Sequence, residues 1–403
     1  MASTHVPSDE VVVALLLLVG LYLPSSAGGE SSALFFWLSR TLSLIFLLYL
    51  AWKHGTRPGA VTFVSLPIVI VLAVCTFISW PFRFQGGFFA GFNLLALLLA
   101  LDLREVRSGR FTYACFVLAN VLNIACGIAI LAGNEWIGQV LSNSYSEFYP
   151  ELVPAMLSLY KPVLTFASHS VAGFFVYLFF WLNWETYERH GSRLALCFAL
   201  CELVLLVALS SFTSLAFSVL ALTQMGIWLW KRSRKVFAAT ILCILSMALV
   251  GGRLLEDKIG SLDELQIGVT RLNSAISGPL ARYAPGGTVA ETSMSYVIKH
   301  PLSPIGFAPP ISTGVIDSGH VEYLLRGSIP LLVLVYLGLY RFLRHNLPSR
   351  VHVLTLFLAI VMFETGFTVL MYYRTACLLP FSVIWLKQIA SKPSPSIAQA
   401  KIE

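Results

Sequence analysis

Long apolar runs, each about as long as a membrane-spanning helix, alternate with short polar segments along most of the chain. A helix needs about 20 predominantly apolar residues to cross the hydrocarbon core of a bilayer. Runs near that length occupy residues 10–27, 33–52, 59–80, 87–102, 111–133, 162–183, 194–210, 212–230, 236–252, 327–343, 352–372 and 374–387. The pattern therefore predicts an all-α protein, a polytopic transmembrane helical bundle of about 12 spans.

The positive charges between these runs alternate. The segments KHGTR (53–57), LREVRSGR (103–110), ETYERHGSR (185–193), KRSRK (231–235), RFLRHNLPSR (341–350) and the tail from Lys387 hold 17 of the 27 lysines and arginines. The short segments between them hold Arg83, Lys161 and Arg374. Because the cytoplasmic loops of membrane proteins are enriched in lysine and arginine, we predict that both termini lie in the cytoplasm.

Composition supports this class of protein and excludes others. Of the 403 residues, 57% are hydrophobic and 12% are charged, with a mean hydropathy of +0.79. Soluble domains carry about 25% charged residues. A soluble fold, a disordered chain and a nucleic-acid-binding protein are therefore excluded. The net charge of +7 follows the loop alternation, and the seven cysteines lie in apolar runs where a disulfide framework or a metal knot is not expected.

Two longer segments lie on the predicted outer side. Residues 134–161 form a modest aromatic loop, and residues 253–326 form one large loop whose first half has apolar residues at near-helical spacing. We accordingly divide the chain into spans one to nine (1–252), the large loop (253–326), spans ten to twelve (327–387) and a cytoplasmic tail (388–403).

Four ionisable residues fall within predicted spans, where charge is costly and functional sites are concentrated. Arg40, His169, Glu202 and Glu364 all lie roughly 10–12 Å below the outer surface, at 1.5 Å of rise per residue. They either form buried ion pairs that hold the bundle together or line a polar cavity open to the outer leaflet.

The large loop carries the second group of candidate residues. Arginine suits bidentate binding of phosphate oxygens, and histidine is the usual general base near neutral pH. Asp317 precedes His320 by three residues and would orient its ring in a helix. The alternative is a solvated loop with ordinary charges. The group comprises Arg253, Arg271, Arg282, His300, Asp317, His320, Glu322 and Arg326.

Several strings in this half of the chain are similar to those of the O-antigen polymerase and O-antigen ligase superfamily of bacterial inner-membrane glycosyltransferases. The resemblance covers roughly residues 200–387. It lies in RLNSAISGPLARY (271–283), HPLSPIGF (300–307), DSGHVEYLLRGSIP (317–330) and FETGFTVLMYYRTACLLPF (363–381). One large periplasmic loop late in a multi-span chain is a further point of likeness.

The resemblance implies a GT-C-like fold and a metal-independent transferase that needs no cofactor. The donor would be a glycan on undecaprenyl diphosphate. His320 would activate the acceptor hydroxyl, and Arg271 and Arg282 would hold the diphosphate. Arg253 and Arg40 are the alternatives for a third arginine. The expected catalytic residues are His320, Glu322 and Asp317, and the expected substrate-binding residues are Arg271, Arg282, Arg253, Arg40, His300 and Arg374.

The function expected from this resemblance is a polysaccharide polymerase that joins undecaprenyl-diphosphate-linked repeat units at the periplasmic face of the inner membrane. One alternative is an O-antigen ligase that transfers the glycan to lipid A-core of lipopolysaccharide. A second is a transporter or flippase for a lipid-linked oligosaccharide. Expected partners are the lipid-linked oligosaccharide and membrane lipids, with a chain-length regulator and a repeat-unit flippase as further candidates, and no nucleic acid.

Overall fold

The computed structural model describes residues 8–78, 84–146, 151–234, 294–299, 303–309 and 318–391. Over these residues the chain is almost entirely helical, with one short β-hairpin of strands β1 and β2. The elements are α1 (Ser8–Tyr22), β1 (Ser26–Ala27), β2 (Glu30–Ser31), α2 (Ala33–His54), α3 (Pro58–Ala60), a π-helical turn (Val61–Ser65), α4 (Leu66–Ile78), α5 (Gly86–Ala100), α6 (Arg110–Leu131), α7 (Glu135–Tyr145), α8 (Leu152–Ser158), α9 (His169–His190), α10 (Arg193–Ala208), α11 (Phe212–Arg232), α12 (Ser295–Lys299), α13 (Gly319–Asn346), α14 (Arg350–Phe363) and α15 (Tyr373–Ser391).

The prediction of a helical chain is confirmed, whereas the figure of about 12 spans stays a prediction. In the described ranges, five helical stretches are long and apolar enough to cross a membrane. These are Ala33–His54, Pro58–Ile78, Arg110–Leu131, Phe212–Arg232 and Gly319–Asn346. The helices Gly86–Ala100 and Arg350–Phe363 are apolar but shorter. The ninth predicted span, 236–252, lies outside the described residues.

Helix α9 lies at the centre of the bundle. Its aromatic and aliphatic side chains are buried on nearly every face, as expected of a helix that is hydrophobic all round. Helix α15 is similarly buried. The outer helices instead expose large apolar side chains, among them Trp52 (82% exposed) and Phe77 (83% exposed). The bundle therefore has an aromatic interior and an apolar exterior, which suits a lipid environment.

The basic segments between the helices meet at one end of the bundle. Near the chain start, Lys53 Nζ lies 2.6 Å from Asp9 Oδ1. The Lys387 ammonium at the end of α15 donates to the carbonyls of Leu103 (2.8 Å) and Arg104 (2.7 Å). Segments that the charge pattern assigns to one side of a membrane are thus in contact with one another in the fold.

Asp102 joins two of these segments. Its carboxylate lies 2.7 Å from Arg104 Nη2 and 3.0 Å from His345 Nε2, at the end of α13. Burial alone raises the pKa of Asp102, but the hydrogen bonds from Arg104 and His345 outweigh it and hold that pKa well below its usual range. Asp102 is therefore ionised at neutral pH and ties α13 to the segment after α5.

Several predicted boundaries differ from the structure. The tenth predicted span, 327–343, belongs to a helix that already begins at Gly319. The run 162–183 becomes a helix only at His169, because Leu164 and Ala167 have positive φ and the Ser168 side chain caps the helix that follows. The run 352–372 is helical only to Phe363, after which residues 364–372 are irregular. The predicted loop 134–161 contains the short helices α7 and α8. The apolar pattern does not distinguish a helix from irregular backbone buried inside protein.

Candidate active site

The helix α13 is broken after its first eight residues, and the break folds that first part back on the rest. Gly327 and Ser328 have non-helical backbone angles, with φ of −147° and 55°. The Tyr336 hydroxyl, beyond the break, lies 2.6 Å from Nδ1 of His320, before the break. In a straight helix, residues 16 positions apart would be separated by about 24 Å. His320 therefore lies beside the tenth predicted span rather than beyond its end.

The segment 303–309 supplies hydrogen-bond donors to the backbone carbonyls that are left unpaired where α13 breaks before Pro330. A proline has no N–H, so the carbonyl four residues before it, that of Arg326, is left without its helical donor. That carbonyl accepts from the Gly306 N–H at 2.9 Å, and the Leu325 carbonyl accepts from the Ile305 N–H at 3.0 Å. The segment that belongs to the HPLSPIGF string thus ends the first part of α13 by backbone hydrogen bonds.

Gly306 is required at this contact. Its φ of 59° lies in the left-handed region, and a Cβ there would collide with Thr76 on α4. The neighbouring Phe307 N–H donates to Thr76 Oγ1 at 2.6 Å. The segment 303–309 is therefore held between α4 and the broken helix.

A buried ion pair fixes the same segment from the other side. Arg326 is fully buried, and its Nε donates to the carboxylate of Glu322, one helical turn earlier. Its Nη1 donates to the carbonyls of Gly306 (2.7 Å) and Ala308 (2.9 Å), and the guanidinium lies 3.3 Å from the ring centroid of Phe88. Of the predicted catalytic residues, Glu322 is thus committed to Arg326 in this conformation.

The geometry around His320 defines its tautomer. Its Nε2 lies 3.2 Å from the carbonyl oxygen of Val361 on α14. A carbonyl only accepts, so Nε2 carries the proton and donates, and Nδ1 holds the free lone pair. That lone pair accepts from the Tyr336 hydroxyl. The half-buried ring is therefore oriented by Val361 and presents a basic nitrogen toward Tyr336.

Glu364 anchors the start of α13 to the end of α14. It is fully buried, its backbone carbonyl accepts from the Gly319 N–H at 2.8 Å, and its Oε1 accepts from the Leu370 N–H at 2.8 Å. A side chain at Gly319 would overlap the Glu364 carboxylate. The Tyr323 hydroxyl lies beside that carboxylate. His320 and Glu364 are therefore brought to the same part of the bundle.

Arg374, predicted to bind substrate, contacts the end of helix α1. It is fully buried and donates to the carbonyls of Gly20 (2.9 Å) and Leu21 (2.8 Å), and to the Tyr372 hydroxyl (2.8 Å). Since the last carbonyls of a helix have no partner within it, Arg374 caps the end of α1. In this conformation its guanidinium holds α1 to α15.

The other ionisable residues of the predicted spans lie on three different helices. Arg40 is half-buried on α2, where its guanidinium lies 3.4 Å from the Phe36 ring centroid and its Nη1 donates to the Phe36 carbonyl. His169 is the first residue of α9, not two turns inside a span. Glu202 on α10 is fully buried, and within the described residues neither carboxylate oxygen has a hydrogen-bond partner.

The remaining predicted site residues lie outside the described residues. They are Arg253, Arg271, Arg282, His300 and Asp317. Their roles therefore stay predictions, and the described part of the site consists of the broken helix α13 with its contacts from α4, α5 and α14.

Sequence reasoning missed the partner of His320. Tyr336 lies inside an apolar run, 16 residues from His320, and helical periodicity does not pair such positions. The one signal was the Gly-Ser-Ile-Pro string at 327–330, which breaks a helix and permits it to fold back.

Comparisons with known proteins give no relative for this chain. No protein-family model matches it, and no curated protein or solved structure matches it. The resemblance to the O-antigen polymerase and ligase superfamily therefore stays a prediction from the strings quoted above.

Proposed function

We propose that this chain is a polysaccharide polymerase of the bacterial inner membrane, with about twelve spans, a GT-C-like arrangement and both termini in the cytoplasm. It would join undecaprenyl-diphosphate-linked repeat units at the periplasmic face. The contacts among the basic segments at one end of the bundle support this orientation, since that end would face the cytoplasm. The large loop, 253–326, would then enter the bundle from the periplasmic side, with residues 319–326 folded back against the rest of α13.

The observation that carries the proposal is the oriented base at the broken helix. His320 Nδ1 has its lone pair directed at the Tyr336 hydroxyl, which is 2.6 Å away. A sugar hydroxyl that replaces that of Tyr336 would meet the same lone pair. Removal of the hydroxyl proton makes the oxygen a competent nucleophile. The bundle therefore offers a general base next to a position that a hydroxyl group already occupies.

In the proposed step, the acceptor oxygen attacks the anomeric carbon of the donor glycan. The proton of that hydroxyl passes to His320 Nδ1, the new glycosidic bond forms, and the bond from the anomeric carbon to the diphosphate oxygen breaks. The electron pair leaves with undecaprenyl diphosphate. The charge that develops there needs cationic donors, and Arg271 and Arg282 are our candidates for that role.

Buried non-helical backbone supports a site in this half of the bundle. Such backbone is tolerated at membrane depth only where it is enclosed by protein or lines a cavity. Residues 161–168 and 364–372 and the break at Ser328 all lie at the end of the bundle opposite the basic segments. This placement favours chemistry at one leaflet over a path through both leaflets, which a transporter would need. A ligase would use the same site with a different acceptor.

The test is a transfer assay with purified protein in liposomes that contain a defined undecaprenyl-diphosphate oligosaccharide. A polymerase yields a ladder of products that differ by one repeat unit. A ligase yields a product only when a lipid A-core acceptor is added, and a transporter moves the donor across the bilayer without a new glycosidic bond. Transport without any transfer product would contradict the enzymatic proposal.

A further inference from the structure

Helix α7 lies across one end of the bundle instead of running through it. It begins just after α6, where the Asn134 side chain caps it by accepting from the Ile137 N–H at 3.0 Å. Its other end is held to the end of α1, because the Tyr145 hydroxyl donates to the Tyr22 carbonyl at 2.9 Å. Helices α1 and α6 are neighbours in the bundle. A helix of 11 residues, roughly 16 Å long, therefore bridges the ends of two adjacent helices.

The faces of α7 have different surroundings. Leu141 and Tyr145, four residues apart and hence on one face, are buried in a small cluster with Ile130 of α6. Trp136 and Val140 form a second stripe with the same spacing, and they are 68% and 41% exposed. The third face is polar and exposed, and it carries Glu135, Gln139 and Asn143.

The apolar face of α7 is wider than the part that the protein covers. On the helix surface, the half-buried Ile137 lies between the exposed stripe of Trp136 and Val140 and the buried side chain of Leu141. The exposed and buried stripes thus form one continuous apolar face opposite the polar residues. Because removal of apolar surface from water is favourable, the exposed stripe is suited to contact with an apolar surrounding.

The neighbouring surface identifies lipid as that surrounding. At the end of α6 that leads to α7, Ile128 and Leu131 are 57% and 39% exposed, and α6 is long and apolar enough to cross a membrane. After α8, Leu159 and Tyr160 are 41% and 57% exposed, and a Cβ at Gly133 would lie 3.0 Å from the Tyr160 ring. The apolar exterior of α6 therefore continues onto α7 and α8. Tryptophan and tyrosine are enriched at the level of lipid head groups.

The charge of α7 favours acyl chains over a charged partner. Glu135 is the one charged residue in its sequence, and the helix has no lysine or arginine. Amphipathic helices that are attracted to anionic lipids carry such basic residues on their polar face. Burial of the apolar face is thus the main attraction of α7 to a membrane, and it operates with neutral lipids as well.

We propose that α7 is an interfacial helix that lies in the plane of the membrane surface, with the stripe of Trp136 and Val140 covered by the lipids that surround α6. Amphipathic helices bind at this depth, at the boundary between head groups and acyl chains. Helix α7 would then fix the ends of α1 and α6 at the membrane surface. The inference is independent of glycosyl transfer and of the orientation of the chain, and it requires only that the bundle lie in a bilayer.

Spin-label electron paramagnetic resonance in phosphatidylcholine liposomes tests this inference. The nitroxide label is attached at Val140→Cys in the full chain, with the seven natural cysteines replaced. The matched control is Gln139→Cys, the adjacent residue on the exposed polar face. Molecular oxygen concentrates in lipid, whereas a charged nickel chelate stays in water. We expect the label at position 140 to collide several-fold more with oxygen than with the nickel chelate, and the label at position 139 to show the reverse.

A second pair of variants covers the case in which Val140→Cys does not yield a monodisperse protein. It consists of Trp136→Cys on the exposed stripe and Glu135→Cys on the polar face, with the same expected results. Collisions mainly with the nickel chelate at the stripe position would mean that water covers the stripe. A stripe label that neither reagent reaches would mean that protein covers it, either the large loop or a second copy of the chain. Either result would overturn the inference.

Discussion

The buried pair of Arg326 and Glu322 gives the sharpest test of how the broken helix is held. Replacing Arg326 with methionine keeps much of the side-chain volume but leaves the Glu322 carboxylate buried without its partner. Breaking a buried ion pair in this way costs about 3–5 kcal/mol. The carbonyls of Gly306 and Ala308 also lose a donor, at about 1 kcal/mol each. We therefore expect Arg326→Met to lower the free energy of unfolding by at least about 3 kcal/mol.

The double-mutant cycle with Glu322→Gln isolates the pair. The neutral amide no longer needs a cation, so Arg326→Met should cost less in that background, with a coupling energy of at least about 1.5 kcal/mol. The free energies come from reversible unfolding in mixed detergent micelles, followed by circular dichroism. The matched control is Arg104→Met at the Asp102 pair, where the arginine side chain is 60% exposed and solvent screening makes the expected cost small.

A coupling energy within about 0.5 kcal/mol of zero would refute this reasoning. It would mean that Arg326 and Glu322 are not paired in the protein in solution. A cost for Arg326→Met no larger than that for Arg104→Met would do the same, because the burial of the guanidinium is what separates the two cases.

Three other predictions follow from the same structure. Gly306→Ala should lower the free energy of unfolding by about 1–3 kcal/mol, because an alanine is strained at positive φ, whereas Gly59→Ala, in open space, should change it little. Asp102 has a depressed pKa, so its stabilisation is full above its unfolded pKa of about 3.9 and is lost as pH falls through the lower folded value. The difference in free energy of unfolding between wild type and Asp102→Asn should therefore shrink only in strong acid. A difference that has already disappeared at about pH 5 would contradict this reasoning. Gly287→Cys in a cysteine-free background should react with an impermeant thiol reagent from the periplasmic side, Glu105→Cys should react from the cytoplasmic side, and the reverse pattern would contradict the topology.

The sequence predicts the helices well and the site only in part. Apolar runs of the right length locate the helices, because a helix that crosses a bilayer must be continuously apolar. The same rule fails around Ala167 and after Glu364. Both positions belong to predicted apolar spans, but their backbone is irregular and enclosed by neighbouring helices. Nothing local to either position records which helices enclose it.

The sequence likewise identifies some residues of the candidate site and misses others. His320, Glu322 and Arg326 stand out because charge is rare in this chain, yet residue type alone does not say which of them is committed to structure. Arg374, a predicted substrate-binding residue, is buried against the end of α1 in this conformation, a contact that its residue type does not reveal. Tyr336 carried no signal, because its role depends on a backbone reversal at Ser328 that only tertiary contacts with residues 303–309 fix.

The measurement that tests the central claim most directly is the transfer rate of His320→Ala in liposomes with undecaprenyl-diphosphate oligosaccharide, compared with Tyr336→Phe. Loss of a general base costs about 10²–10⁴-fold in rate. We expect His320→Ala to fold, bind the lipid-linked donor and extend it at least about 100-fold more slowly, while Tyr336→Phe, which only removes the hydroxyl that occupies Nδ1, keeps transferring. A wild-type ladder of products from a well-folded His320→Ala variant would contradict the assignment of His320 as the base.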